Sequence, residues 1–325
     1  MRNIRYHLSQ RKRLSGFIKV RKQTNRTWDR FKTHRLAFVS WLILLILLTL
    51  SFSAPLFSKY VTHYEMSQVD LSASFKPISL KHPFGTDELG RDVFTRILYG
   101  GRVSLMVGIT AALTATIIGT LIGAVAGYYG GWLDTLLMRF TDTMISLPTL
   151  PLMIILAAVD LPKHLNLKAL PLGIDVSVLN IICIVVIFSW MGVARLVRGS
   201  VLSLKERDFV TAAQALGMST GRIIFVYLIP NCMAPIIVSA TLAVGGNILY
   251  ESALSFLGLG IQPPVPSWGN MLNNAQDYLR KAPMLALFPG LFILLTVVSI
   301  NFLGDGLRDA LDPHFVQGRK KINYN

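Results

Sequence analysis

Six stretches of nearly unbroken apolar residues organise the chain, at about 37–57, 103–127, 141–159, 176–194, 223–249 and 285–304. A hydrocarbon core of roughly 30 Å takes about 20 helical residues to cross. The pattern therefore predicts an all-α polytopic membrane protein with six transmembrane helices. Pro148 and Pro151 fall in the third stretch and Pro230 and Pro235 in the fifth. Proline is tolerated in a membrane helix where neighbours satisfy the freed carbonyls, so both spans are expected to kink. Gly119, Gly123 and Gly127 form a ridge of small residues along the second span, which allows close helix approach. Packing within the chain is the expected use of that ridge, with a subunit contact as the alternative.

The region between the fourth and fifth stretches has a different texture. Residues 211–231, TAAQALGMSTGRIIFVYLIPN, begin with small and mildly polar residues. Ser203, Leu204, Lys205 and Glu206 match a capping box, which predicts a helix starting at Leu204. Phe209, Ala212, Ala213 and Leu216 share one face at helical spacing. Gly217 stands where a left-handed residue would end that helix, and Ser219 could cap a second one. A helix of about 13 residues is marginal alone in water. Either its own neighbours or a cytosolic partner must pack on it.

Composition supports the membrane reading. The chain of 325 residues is 52% hydrophobic and 15% charged, against about one quarter charged in soluble proteins. Its net charge is +15, but the excess is local: residues 1–35 hold twelve Lys and Arg against one acid, Asp29. That is the flank of a membrane anchor with an attraction for anionic lipid, and no nucleic-acid partner is expected. With the N-terminus inside, the cytoplasmic segments carry 22 basic and 8 acidic residues, and the outer segments 10 and 9. Both termini are thus predicted to be cytoplasmic. The resulting division is a basic arm (1–35), a first transmembrane helix (36–58) and an extracytoplasmic segment (59–102). A core with five further spans (103–305) and a cytoplasmic tail (306–325) follow. The first apolar run lacks a small-residue cleavage site and reads as a retained anchor.

Candidate chemistry is sparse. Gly85 to Asp92 imitates the spacing of a phosphate-binding loop, but Arg91 and Asp92 replace the Lys and hydroxyl residue that would grip phosphate and metal. The predicted topology also places it outside. No catalytic residue is assigned. The six histidines, at 7, 34, 63, 82, 164 and 314, form no i, i+4 pair, and Cys183 and Cys232 sit inside apolar runs, so no metal site is expected. Asp142 is the acid nearest a span interior and is expected to pair with Arg139 or to line the pore. Arg195 and Arg198 would snorkel to the cytoplasmic face. Asn180, Asn231, Asn247 and Asn301 are expected to bond between helices, with pore contact as the minority role for Asn231 and Asn247. An ion-coupled carrier would need buried charges and interrupted helices at mid-membrane, which the sequence does not display.

The stretch DFVTAAQALGMSTGRIIFVYLIPN resembles the cytoplasmic loop motif of bacterial ATP-binding-cassette importer permeases. Ala212, Ala213, Gly217, Pro230 and Asn231 match, whereas Thr211 stands where that family usually has Glu. HPFGTDELGRDVFTRILYGGRVSL (82–105), ESALSFLGLGIQPPVPSWGNML (251–272) and NFLGDGLRDALDP (301–313) resemble the C-type permease subunit of dipeptide, oligopeptide and nickel importers. The resemblance covers about residues 80–313. It implies the type I importer permease fold in a bacterial cell membrane and a heterodimer with a related permease. It further implies two cytoplasmic ATPases, which would bind the ATP and Mg, and an extracytoplasmic peptide-binding protein. This chain would then bind no cofactor and hydrolyse nothing. By the same resemblance residues 204–217 are a coupling helix, with Phe209, Thr211, Ala212, Ala213, Leu216 and Gly217 facing the ATPase. The cargo would be a short peptide, or alternatively nickel or a metal chelate.

Overall fold

The computed structural model describes residue 28, residues 30–159 and residues 175–312. Most of the basic arm and the end of the C-terminal tail lie outside them, as do His7, His164 and His314. The described residues are helical apart from loops and one isolated bridge between Thr86 and Asp92.

Nine helices organise them: α1 (Arg35–Phe52), α2 (Val93–Tyr129), α3 (Gly131–Ser146), α4 (Thr149–Ala158) and α5 (Val176–Lys205) come first. The rest are α6 (Asp208–Ala215), α7 (Met233–Phe256), α8 (Trp268–Gln276) and α9 (Met284–Leu311). Five are long and apolar enough to cross a membrane: α1, α2, α5, α7 and α9. The third expected span is a bent pair, α3 and α4, meeting at 86°. Pro148 is the hinge, since it precedes α4 and cannot continue the hydrogen-bond ladder of α3. Counting the pair as one span restores the predicted six.

Several boundaries shift from those that hydropathy suggests. At 37 residues α2 is about 55 Å long, well beyond the bilayer core. Its start is set by Asp92, whose carboxylate accepts the Thr95 backbone N–H at 2.8 Å. The fifth span begins at Met233. It is preceded by a π-wound segment, Ile223–Leu228, and a single turn at Ile229–Asn231 that holds Pro230. Near the N-terminus, Phe31 is 4% exposed and clusters with Ala37 and Ala310, so packed structure begins before residue 35.

The predicted helix start at Leu204 is wrong. α5 continues through Lys205, which leaves Ser203 in its last turn and Glu206 at its C-cap. Val193, Val197 and Val201 stay buried along this extension, so tertiary packing prolongs the helix past the local capping signal. The next helix starts at Asp208 instead.

Packing runs in a chain from α1 to α9, α7, α2 and α5. The tightest seam joins α2 to α5. A β-carbon added at Gly119 would lie 2.4 Å from the Trp190 carbonyl oxygen, at Gly123 2.3 Å from that of Ala194, and at Gly127 2.9 Å from that of Arg198. Both partners advance four residues per contact, so the helices run parallel and in step for three contacts. The glycine ridge is thus an internal contact, as expected.

At Gly123 a larger side chain would have to displace helix backbone rather than a flexible neighbour. We expect Gly123→Leu to destabilise the fold by at least the ~1–3 kcal/mol typical of overpacking, seen as reduced membrane accumulation and a lower melting temperature in detergent. Gly199→Ala on α5, where nothing lies within 4 Å, should match the parent; equal behaviour of the two variants would disprove the seam.

Candidate functional site

Between α5 and α7, α6 is an eight-residue helix with two faces. Val210 and Ala213 are buried against Val193, Val197, Val201, Ile223 and Leu228. Phe209, Thr211, Ala212 and Leu216 point away, and Leu216 is 76% exposed. The predicted stripe is therefore divided: Ala213 packs inward, while Phe209, Ala212 and Leu216 form an exposed apolar row at i, i+3 and i+7.

The helix ends as expected at Gly217, whose φ is +73°. Its N–H donates to the Gln214 carbonyl at 2.9 Å and the Met218 N–H to that of Ala213 at 3.1 Å. This is the paired closure of a Schellman turn. Nothing lies within 4 Å of a β-carbon placed at Gly217, so its requirement for glycine is conformational and not steric. Ser219 precedes the turn Thr220–Arg222, but its side chain makes no capping bond there.

The pore and interface candidates are distributed differently. Asp142 pairs with Arg195, not Arg139: the guanidinium donates through Nε at 3.0 Å and through Nη2 at 2.5 Å. Arg198 grips Asp134 through two parallel bonds of 2.5 and 2.6 Å. The two arginines thus fasten α3 to α5, and helix register explains why. Arg139 and Asp142 are neighbours on α3, but α5 presents arginines across the gap one turn apart. Asn247 is buried in α7 and accepts the Ser189 hydroxyl of α5 at 2.8 Å, an interhelical bond as expected. Asn231 bonds within its own segment, to the Tyr227 carbonyl at 2.6 Å.

The outer side holds a site that hydropathy misassigned. Glu251 falls just past the apolar stretch 223–249, yet it lies in α7 and is 0% exposed. Its Oε2 accepts the Ser104 hydroxyl and its Oε1 the Ser255 hydroxyl, each at 2.8 Å. Those two serines in turn accept backbone N–H groups, from Trp268 at 3.3 Å and from Ile261 at 3.1 Å. Two relays thus run from the outer segment through hydroxyls to one carboxylate. Trp268, also 0% exposed, rests on Gly101, and its ring N–H donates to the Ile97 carbonyl at 3.1 Å. Stretches 82–105 and 251–272 meet here as one outer clasp. The available signal was a lone Glu flanked by serines in an apolar run.

Beside this clasp, the 85–92 loop has no vacancy for phosphate. Asp87 Oδ1 already accepts the backbone N–H groups of Leu89 at 3.0 Å and Arg91 at 2.9 Å. The loop supplies its own anion. Arg91 and Arg96 surround Asp87, and burial, with Asp87 adding repulsion, pushes the Glu88 carboxyl above its usual range.

Comparison with known proteins agrees with this architecture. Residues 119–317 match the family described as binding-protein-dependent transport system inner membrane component, and residues 22–77 the N-terminal transmembrane domain of oligopeptide transport permease C. The chain belongs to this permease family. A dipeptide transport system permease protein of Alkalihalophilus pseudofirmus is 43% identical over 286 residues, covering 88% of each chain. An oligopeptide transport system permease protein of Bacillus subtilis is 39% identical over 299 residues, covering 91% of this chain and 92% of the relative. A glutathione transport system permease protein of Escherichia coli is 39% identical over 295 residues, at 90% and 91% coverage. The chain is accordingly a multi-pass inner-membrane permease subunit of a binding-protein-dependent transport system.

Removing the Glu251 carboxylate would take the acceptor from three buried hydroxyls, those of Ser104, Ser255 and, at 3.4 Å, Ser252, at about 1–3 kcal/mol for each left unpaired. In a background with Cys183 and Cys232 replaced by Ala, Glu251→Ala should expose a Met271→Cys probe on α8 to thiol labelling and lower the melting temperature. Parental protection of that probe would show that the clasp does not depend on Glu251.

Proposed function

We propose that this permease forms half of a translocation path for short peptides and couples it, through α6, to cytoplasmic ATPases that bind ATP and Mg. One observation carries the coupling role. α6 buries Val210 and Ala213 but presents Phe209, Ala212 and Leu216 to the cytoplasm, although an eight-residue helix cannot hold itself in water. An exposed apolar row on a short, pre-packed helix suits insertion into a groove of another protein. The remaining partners would be a related permease and an extracytoplasmic binding protein that delivers the peptide. Peptide cargo rests on relatives that are named for a dipeptide, an oligopeptide and glutathione, itself a tripeptide. An open cavity of about 610 Å³ between α5, α7 and α9 supports a path on this side. Its wall combines small or apolar surfaces, among them Gly192, Ala234, Pro235 and Val238, with the charged residues Arg308 and Asp312.

Two substitutions test the coupling role. Leu216→Arg places a charge in the exposed row, where no intramolecular packing is disturbed. It should abolish uptake and co-purification of the ATPases while membrane levels stay near parental. Gly217→Val forces a β-branched residue into left-handed backbone at a cost of about 1–2 kcal/mol or more. That should tilt α6 and reduce uptake at near-normal accumulation, and Thr211→Glu should be tolerated. Normal transport by both Leu216→Arg and Gly217→Val would sink the reading.

A further inference from the structure

The helix α3 is attached in an unusual way. At its start Gly130 has φ +67° and ψ −159°, a conformation open essentially to glycine alone, and Gly131 has φ +59°. At its end the chain turns 86° into α4. Between these two breaks α3 buries only Met138 and Thr141, while Trp132, Leu136 and Phe140 are exposed. Its apolar attachments are Met138, Met144 against the core, and the stacking of Phe140 on Trp190 at 6.2 Å.

Its polar attachments all lead to one helix. Asp134, in the first turn, is held bidentately by Arg198, and Asp142, two turns later, by Arg195. Both arginines are on the cytoplasmic half of α5. Beyond Arg198 that helix continues unbroken to Lys205 and reaches α6 through Glu206 and Arg207 alone. Beyond Asp142, α3 reaches the bend and then α4, which packs on α5 and α7. α5 is thus a continuous helical link from α6 to two ion pairs, and beyond them lies a segment bounded by a break at each end.

We propose that Asp134–Arg198 and Asp142–Arg195 form a strut that makes α3 swing with the end of α5, so that movement at the ATPase-docking helix repositions the third span. The four residues are positioning residues; none needs to touch cargo or nucleotide. The proposal rests on α6 being the docking helix. The Asp142–Arg195 pair is half exposed, with side-chain exposures of 50% and 48%, and such pairs add little to stability. Its service is to fix where α3 sits relative to α5.

The test is transport per ATP hydrolysed, measured on the whole transporter in proteoliposomes. Asp134→Asn with Asp142→Asn keeps side-chain size and removes the charges. This double variant should accumulate normally and retain its ATPases, yet show a transport-to-hydrolysis ratio at least fivefold below the parent. Asp134→Arg and Arg198→Asp should each lower the ratio similarly, and combining them should restore at least half of it. A parental ratio in the double asparagine variant, or a swapped pair no better than its single variants, would overturn the strut. Leu216→Arg separates the two ideas. If it blocks uptake while the asparagine variant keeps the parental ratio, only the strut fails. If Leu216→Arg transports normally, the docking role fails and the strut with it.

Discussion

The contact on which the rest depends is the backbone-to-backbone seam between α2 and α5. Three glycines at four-residue intervals bring α2 against the carbonyls of Trp190, Ala194 and Arg198, closer than any side chain would allow. In lipid, apolar surface gains nothing from leaving the solvent, so helices associate through close van der Waals packing and weak Cα–H···O contacts. That approach fixes both the rotation and the vertical register of α5. Everything on the cytoplasmic half of α5 inherits this register: the valines under α6, the two arginines facing α3, and the lysine that ends the helix.

The two ends of the molecule are built on different physics. The cytoplasmic end is apolar and shallow. α6 is seated by Val210 and Ala213 and closed by a left-handed glycine, and the row that it shows outward has no partner among the described residues. The outer end is polar and buried. Glu251 receives two hydroxyls, each of which has already accepted a backbone N–H from the outer segment. Such a network is costly unless it is complete; the Ser255 arm is local, but the Ser104 arm joins residues 147 and 164 positions apart in sequence.

Sequence reasoning recovered the apolar crossings, the glycine ridge and the glycine that ends α6. Each is a local or periodic property: transfer free energy summed over about 20 residues, or a backbone angle that only glycine adopts easily. The resemblance carried by residues 82–105, 208–231, 251–272 and 301–313 pointed to the permease family, to which the chain belongs.

What tertiary structure decided was pairing and interruption. Ser203 and Glu206 carry a sound capping signal, but the buried valines of α5 override it because packing along a whole helix outweighs one cap. Asp142 could have bonded Arg139 by spacing alone; the register of α5 against α3 gave it Arg195 instead. Glu251 read as a loop acid because a single carboxylate lowers hydropathy whatever surrounds it, and only the fold brings Ser104 to it. Sequence by itself determined which segments are long and apolar enough to enter the membrane, since that depends on summed local free energies. Only the tertiary structure decided which charges meet, since a contact between distant residues depends on the relative rotation of two helices, and no local pattern encodes that.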